Sequence, residues 1–220
     1  MIRSPAFPYT APFAVFLGFL VLHTVLPLPD LADQVLRVAA MTLVLWFVAR
    51  PVLDFRVRNV AGTLLVGLFV FVLWIGPDLL FPGYRRHWLF TNWITGSAGR
   101  NSRELQGQAA VLVLRAVRSA GIVPIVEELF WRAWMMRWLI APDFRAVRLG
   151  AYTAQSFWIV AFLFASEHGS YWDVGLAAGI VYNWWMVRTR SLGDLILAHA
   201  VTNACLSAYV VMAGKWEYWQ

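Results

Sequence analysis

The stretch Val60-Ala-Gly-Thr-Leu-Leu-Val-Gly-Leu-Phe-Val-Phe-Val-Leu-Trp-Ile-Gly-Pro-Asp-Leu-Leu-Phe81 is apolar almost throughout, and Asp78 is its only ionisable side chain. A run of roughly 20 such residues crosses the hydrocarbon of a bilayer as one helix, because a helix satisfies its backbone groups without water. Working outward, apolar runs recur at about Phe13 to Leu28, Val38 to Leu53, Ala109 to Ile140, Ala151 to Ser166, Val174 to Val187 and Leu192 to Met212. The fold expected is all-α, a polytopic transmembrane bundle of seven or eight helices. The range of two comes from Ala109 to Ile140, where Gly121 and Pro124 allow either two helices or one kinked helix.

Composition agrees with that reading. The chain is 60% hydrophobic and 14% charged, whereas soluble domains carry about 25% charged residues. The gaps between apolar runs leave no room for a second, soluble domain, so residues 1–220 read as one membrane domain. The formal net charge of +6 does not point to nucleic acid. Arg56 with Arg58, Arg85 with Arg86, Arg145 with Arg148 and Arg188 with Arg190 flank apolar runs, as topology determinants and contacts to anionic lipid do. Assigning Lys and Arg to alternate sides puts Arg3, Arg50, Arg56 and Arg58 with the larger group, and Arg37, Arg100 and Arg103 with the smaller. That bias favours a cytoplasmic N-terminus. The N-terminal apolar run lacks a small-residue cleavage site and is expected to be a retained span. A single cysteine, Cys205, excludes an internal disulfide or a thiolate zinc site.

Between Pro82 and Gln108 the chain turns polar, and Gly83, Gly96, Gly99 and Gly107 interrupt it. His87 to Trp93 suits an amphipathic helix lying on the membrane surface. Trp138, Trp184, Trp216 and Trp219, near segment ends, suit the interfacial belts.

Ionisable side chains at membrane depth are costly and mark function or a partner. Three clusters stand out: Glu127-Glu128-Leu-Phe-Trp-Arg132, Phe164-Ala-Ser-Glu167-His168 and His199-Ala-Val-Thr-Asn203. Glu128 and Arg132, four apart, share a helix face and can pair, while Glu127 is turned about 100° away and left as a free carboxylate suited to a general base. His168 would join Glu127 in activating water if the helices bring them together. His199 and Asn203, also four apart, can direct two donors at a developing oxyanion. Hydrolysis consumes water, so the four should line one cavity that water reaches. Taken singly, Glu128 with Arg132 is a self-satisfying buried pair, and His199 with Asn203 is interhelical hydrogen-bond glue. Glu167 reads as a rim residue. Gly175, Gly179 and Asn183 form a small-residue stripe suited to close helix packing.

In order along the chain, Glu127, Glu128 and Arg132, then Phe164 and His168, then His199 and Asn203 resemble the three motifs of the CAAX protease and bacteriocin-processing family. The run Ala177 to Leu192 is similar to that family's segment before its last motif, so the likeness covers roughly Val123 to Ala204, within a catalytic core of about 109–212. The size and tryptophan-rich helices resemble the bacterial CAAX prenyl protease-related branch found with exosortase-type sorting systems. The resemblance implies an intramembrane endopeptidase in a bacterial inner membrane, related to the enzyme that trims prenylated CAAX proteins. Its substrate would be a membrane-anchored or hydrophobic peptide. It also implies that Glu127 and His168 activate the attacking water, that His199 and Asn203 stabilise the oxyanion, and that Glu128, Arg132 and Phe164 shape the site. The family has been described both as metalloproteases and as metal-independent glutamate proteases. With no thiolate or close His pair to bind it, no cofactor is expected, the alternative being a divalent metal such as zinc. Two other classes compete: a transporter or proton relay, since Glu, Arg and His can line an ion path, and a non-catalytic membrane partner or immunity protein.

Overall fold

A computed structural model describes residues 4–96 and 108–219. Gly99, Gly107, Arg3, Arg100 and Arg103 lie outside the described residues. The chain is helical: α1 (Phe7–Val25), α2 (Asp30–Val52), α3 (Val60–Leu80), α4 (Ala109–Trp138), α5 (Ala154–Ser166), α6 (Trp172–Thr189) and α7 (Leu192–Ala213). Four of these, α2, α3, α4 and α7, are long and apolar enough to cross a membrane. The protein is therefore a multi-pass helical bundle, and Ala109 to Trp138 is one helix, not two.

Helix starts follow local chemistry. Asn59, Thr153 and Ser191 cap α3, α5 and α7 by accepting the backbone N–H groups of Gly62, Ser156 and Asp194. The early boundaries differ from the apolar runs. α1 starts at Phe7, because prolines are tolerated in a first turn. α2 starts at Asp30, ahead of Val38, because Asp33 and Arg37 neutralise each other four residues apart: the Arg37 Nε donates to both Asp33 oxygens at 2.9 and 2.7 Å. Arg37 is thus a buried helix residue and not a flanking charge.

α3 lies against α7 at very close range. A Cβ on Gly67 would stand 2.6 Å from the Ala198 carbonyl oxygen, so glycine is required there. The contact is tied by Thr202, whose hydroxyl donates to the Gly67 carbonyl at 2.8 Å, and by Tyr182 of α6, which donates to Thr202 at 2.7 Å. At one end, the buried Asp194 of α7 accepts from the backbone N–H groups of Arg58 and Asn59 at 2.7 and 2.8 Å and from the Thr63 hydroxyl at 2.8 Å. α5 and α6 pack through Gly179, where a Cβ would stand 3.2 Å from the Ala161 carbonyl oxygen. α1 joins the core through Phe13, stacked on Phe130 of α4 at 3.9 Å.

The polar connection after α3 is not the surface helix expected from His87 to Trp93. Its described residues hold a short helical turn, Tyr84–Arg86, followed by turns and an isolated bridge between Asn92 and Gly96. Asn92 decides this, since its side-chain oxygen accepts from the N–H groups of Ile94 and Thr95 and so bends the backbone. Of the four tryptophans assigned to interfaces, Trp138 and Trp184 are exposed, but Trp219 is buried, with Arg115 over its ring at 5.2 Å.

Candidate active site

α4 carries the first motif, and its backbone is irregular on both sides of it. Segments Arg118–Ile122 and Leu129–Met135 are π-helical, each adding a residue to the turn. In the first, the Val123 N–H bonds the Arg118 carbonyl. The same step would pair the Ser119 carbonyl with residue 124, but Pro124 has no N–H. The orphaned Ser119 carbonyl is instead satisfied by the Asn203 side chain of α7, whose Nδ2 donates to it at 2.9 Å. Pro124 thus creates the acceptor that holds Asn203.

Glu127 and Glu128 reach one imidazole from two sides. Glu128 Oε1 lies 2.8 Å from the His199 Nδ1, and Glu127 Oε2 lies 3.9 Å from the His199 Nε2. The short contact makes Nδ1 the protonated nitrogen, donating to Glu128, and directs Nε2 toward Glu127. Arg132 donates from Nη1 to the same Glu128 oxygen at 3.1 Å, so the expected pair forms, and it extends further than expected. Arg132 also donates from Nε to Asn183 Oδ1 at 2.9 Å and lies over the Phe164 ring at 4.3 Å. Glu128, Arg132 and Asn183 are completely buried.

His168 sits just past the end of α5. Its Nδ1 lies 2.8 Å from the Phe164 carbonyl, which only a protonated Nδ1 can serve, so Nε2 carries the lone pair. The ring is held against Phe164 at 4.8 Å and Trp74 of α3 at 5.1 Å. Gly175 leaves room for it, since a Cβ there would stand 3.0 Å from His168 Nδ1. Glu167 is exposed and accepts from the Trp131 indole at 3.0 Å, at the margin of the cluster.

The cluster is closed, where an open cavity was expected. Glu127 and His199 are 7% and 5% exposed, with His168 and Asn203 half-buried at the edges. Aromatic packing is the cause: Tyr182 stacks on His199 at 5.0 Å, and Trp131 is buried beside the glutamates. Glu127 Oε2 has no hydrogen-bond partner despite its burial. A buried carboxylate oxygen left unpaired is expensive, and such groups belong to sites that use them. Among the described residues, no group of three or more His, Cys, Asp or Glu side chains is arranged to hold a metal ion.

Residues 109–205 match the family model described as type II CAAX prenyl endopeptidase Rce1-like. That segment is Rce1-like. That segment contains all three polar motifs, from Glu127 to Asn203, and runs from the start of α4 into α7. The match makes the protein a CAAX-type protease, a peptide hydrolase, and the four membrane-length helices make it an intramembrane one. No curated protein and no solved structure matches the chain.

Asn183 is the residue that reasoning from sequence missed at the site of this Rce1-like segment. It lies in line with Gly175 and Gly179 and reads as packing, yet its oxygen serves Arg132 and its Nδ2 donates to the Phe157 carbonyl at 2.8 Å. A fully buried amide on an otherwise small-residue stripe is the signal that finds it, since such a group must have partners.

Proposed function

We propose that the protein hydrolyses a peptide bond in a membrane-anchored or hydrophobic substrate, using water activated by Glu127 and His168 and no metal ion. The observation that carries the reading is the unpartnered Glu127 carboxylate facing an imidazole whose other nitrogen is held by Glu128. Glu127 accepts a proton from water, and His168 Nε2 accepts the water's other hydrogen as a hydrogen bond, which orients the attacking lone pair. As the oxygen adds to the scissile carbonyl, the oxyanion receives hydrogen bonds from His199 Nε2–H and from the second hydrogen of Asn203 Nδ2, the first being spent on Ser119. Donation from Nε2 while Nδ1 serves Glu128 requires the imidazolium, a cation flanked by two carboxylates. Glu127 then passes its proton to the leaving amine. Location in a bacterial inner membrane rests on the likeness of size and tryptophan content to the bacterial branch of the family.

The test is cleavage of a hydrophobic peptide by the purified protein in detergent. Glu127→Gln keeps shape and removes the proton acceptor, so turnover should fall by about 100-fold or more while the protein folds normally. Full activity in that variant would remove Glu127 as the base. Activity abolished by a chelator and restored by zinc would replace the metal-independent reading with a metalloprotease one.

A further inference from the structure

Arg132 and Glu128 are paired in an unexpectedly incomplete way. A guanidinium and a carboxylate in a dry interior ordinarily close into two parallel hydrogen bonds. Here one bond forms, Nη1 to Oε1, while Arg132 Nη2 and Glu128 Oε2 are both buried without partners. Each lacks what the other could supply. A small turn of the guanidinium toward Glu128 would satisfy both, so something holds Arg132 out of that geometry.

Asn183 is placed to do so. Its Oδ1 accepts from Arg132 Nε at 2.9 Å, and its Nδ2 is anchored on the Phe157 carbonyl of α5 at 2.8 Å, which fixes which end of the amide faces Arg132. α5 and α6 meet across Gly179, so the anchor is rigid. Held by Nε, the guanidinium presents a single N–H to Glu128, and Glu128 Oε1 remains available to His199 Nδ1 at 2.8 Å.

We propose that Asn183 is a positioning residue for hydrolysis: by restraining Arg132 it prevents a closed Arg132–Glu128 pair and keeps Glu128 on His199 Nδ1, which aims Nε2 at the reacting atoms. Loss of the restraint lets Arg132 take both Glu128 oxygens, and His199 loses the partner that holds its Nδ1 proton. The inference rests on the hydrolytic reading for its kinetic consequence but not for its structural one, so two measurements are used together. The first is nitrogen-15 NMR of histidine-labelled protein in detergent, which reports whether each ring nitrogen of His199 carries a proton, without any substrate. The second is peptide cleavage, resolved into kcat and KM.

In Asn183→Leu, His199 should lose its Nδ1-protonated signature and kcat should fall by about 10- to 100-fold with KM unchanged. Arg132→Lys gives a second route should Asn183→Leu not fold: an ammonium cannot bridge Asn183 and Glu128 as the planar fork does, and the same loss at His199 is expected. A wild-type His199 signature in both Asn183→Leu and Arg132→Lys would overturn the proposal. So would an unchanged kcat per folded molecule alongside a lowered Tm, which is what a packing role alone produces. If no variant, nor the wild type, cleaves peptide, the hydrolytic reading fails while the NMR comparison still decides the role of Asn183.

Discussion

Each charged residue of the cluster has a partner on another helix, and this sets what its removal does. Arg132 is a full cation paired with Glu128 and is entirely buried. Arg132→Ala strands a buried carboxylate and the Asn183 oxygen together, a loss of about 3 to 5 kcal/mol that exceeds any gain from removing the cation's own burial. The expected outcome is a low folded yield and an early thermal transition in detergent. Normal yield and Tm would show that Arg132 contributes nothing structural. This pair was legible in the sequence, because four residues on a helix is a contact distance. The bond from Glu128 to His199 was not, since it joins residues 71 positions apart and depends on how α4 and α7 pack. The free state of Glu127 followed from the same helical offset that paired Glu128, but only the packing of α7 puts an imidazole in front of it.

At the scale of helices, the informative irregularity is in α4. Pro124 removes the N–H that would serve Ser119, and Asn203 of α7 takes its place. Pro124→Ala returns that N–H and fits the same backbone, so the Ser119 carbonyl gains a partner within its own helix and competes with Asn203 for it. Activity should fall while Tm holds or rises, because the new bond replaces the old one and a freed Asn203 no longer aims its amide. Peptide turnover and thermal unfolding of the one variant check both halves. A fall in Tm with full turnover would mean that Asn203 needs no anchor. Sequence reasoning recognised Gly121 and Pro124 as a disturbance but could not choose between a break and a kink, because a π-helical turn leaves no compositional mark. The surface helix expected at His87 to Trp93 failed for a related reason. Its mix of aromatic and polar residues suits an amphipathic helix, while the Asn92 side chain bonds the backbone locally and wins over helix formation.

Across the whole molecule, the family-like segment from 109 to 205 does not complete its own site. His168 rests on Trp74 from α3, and the turn that follows it is held from outside the segment by Arg85. Arg85 donates to the Ser170 carbonyl at 2.8 Å, pairs with Asp173 and, at 3.2 Å, with Asp78, and lies over the Tyr171 ring at 4.3 Å. Burial works against its charge, but the hydrogen bond and charge of Asp173, with Asp78, hold its proton more firmly than water would. Tyr218 of the C-terminal turn donates to the same Asp78, and Trp172 donates to the Leu89 carbonyl, so connection and tail close over one end of the bundle. Asp194, by contrast, ties α7 to the start of α3 and has no contact with this latch. The two ends should therefore respond separately. Arg85→Gln keeps one donor but removes the cation from two carboxylates, a loss on the order of 3 kcal/mol confined to the latch. Local opening of that size speeds amide exchange on the order of 100-fold. The increase should appear in residues 168–173, with α3 and α7 near Gly67 unchanged, and cleavage should fall because His168 loses the turn that secures it. Unchanged exchange at 168–173 would show that Arg85 does not secure the turn, and a uniform increase through α3 and α7 would show that the latch supports the whole bundle and not the site alone.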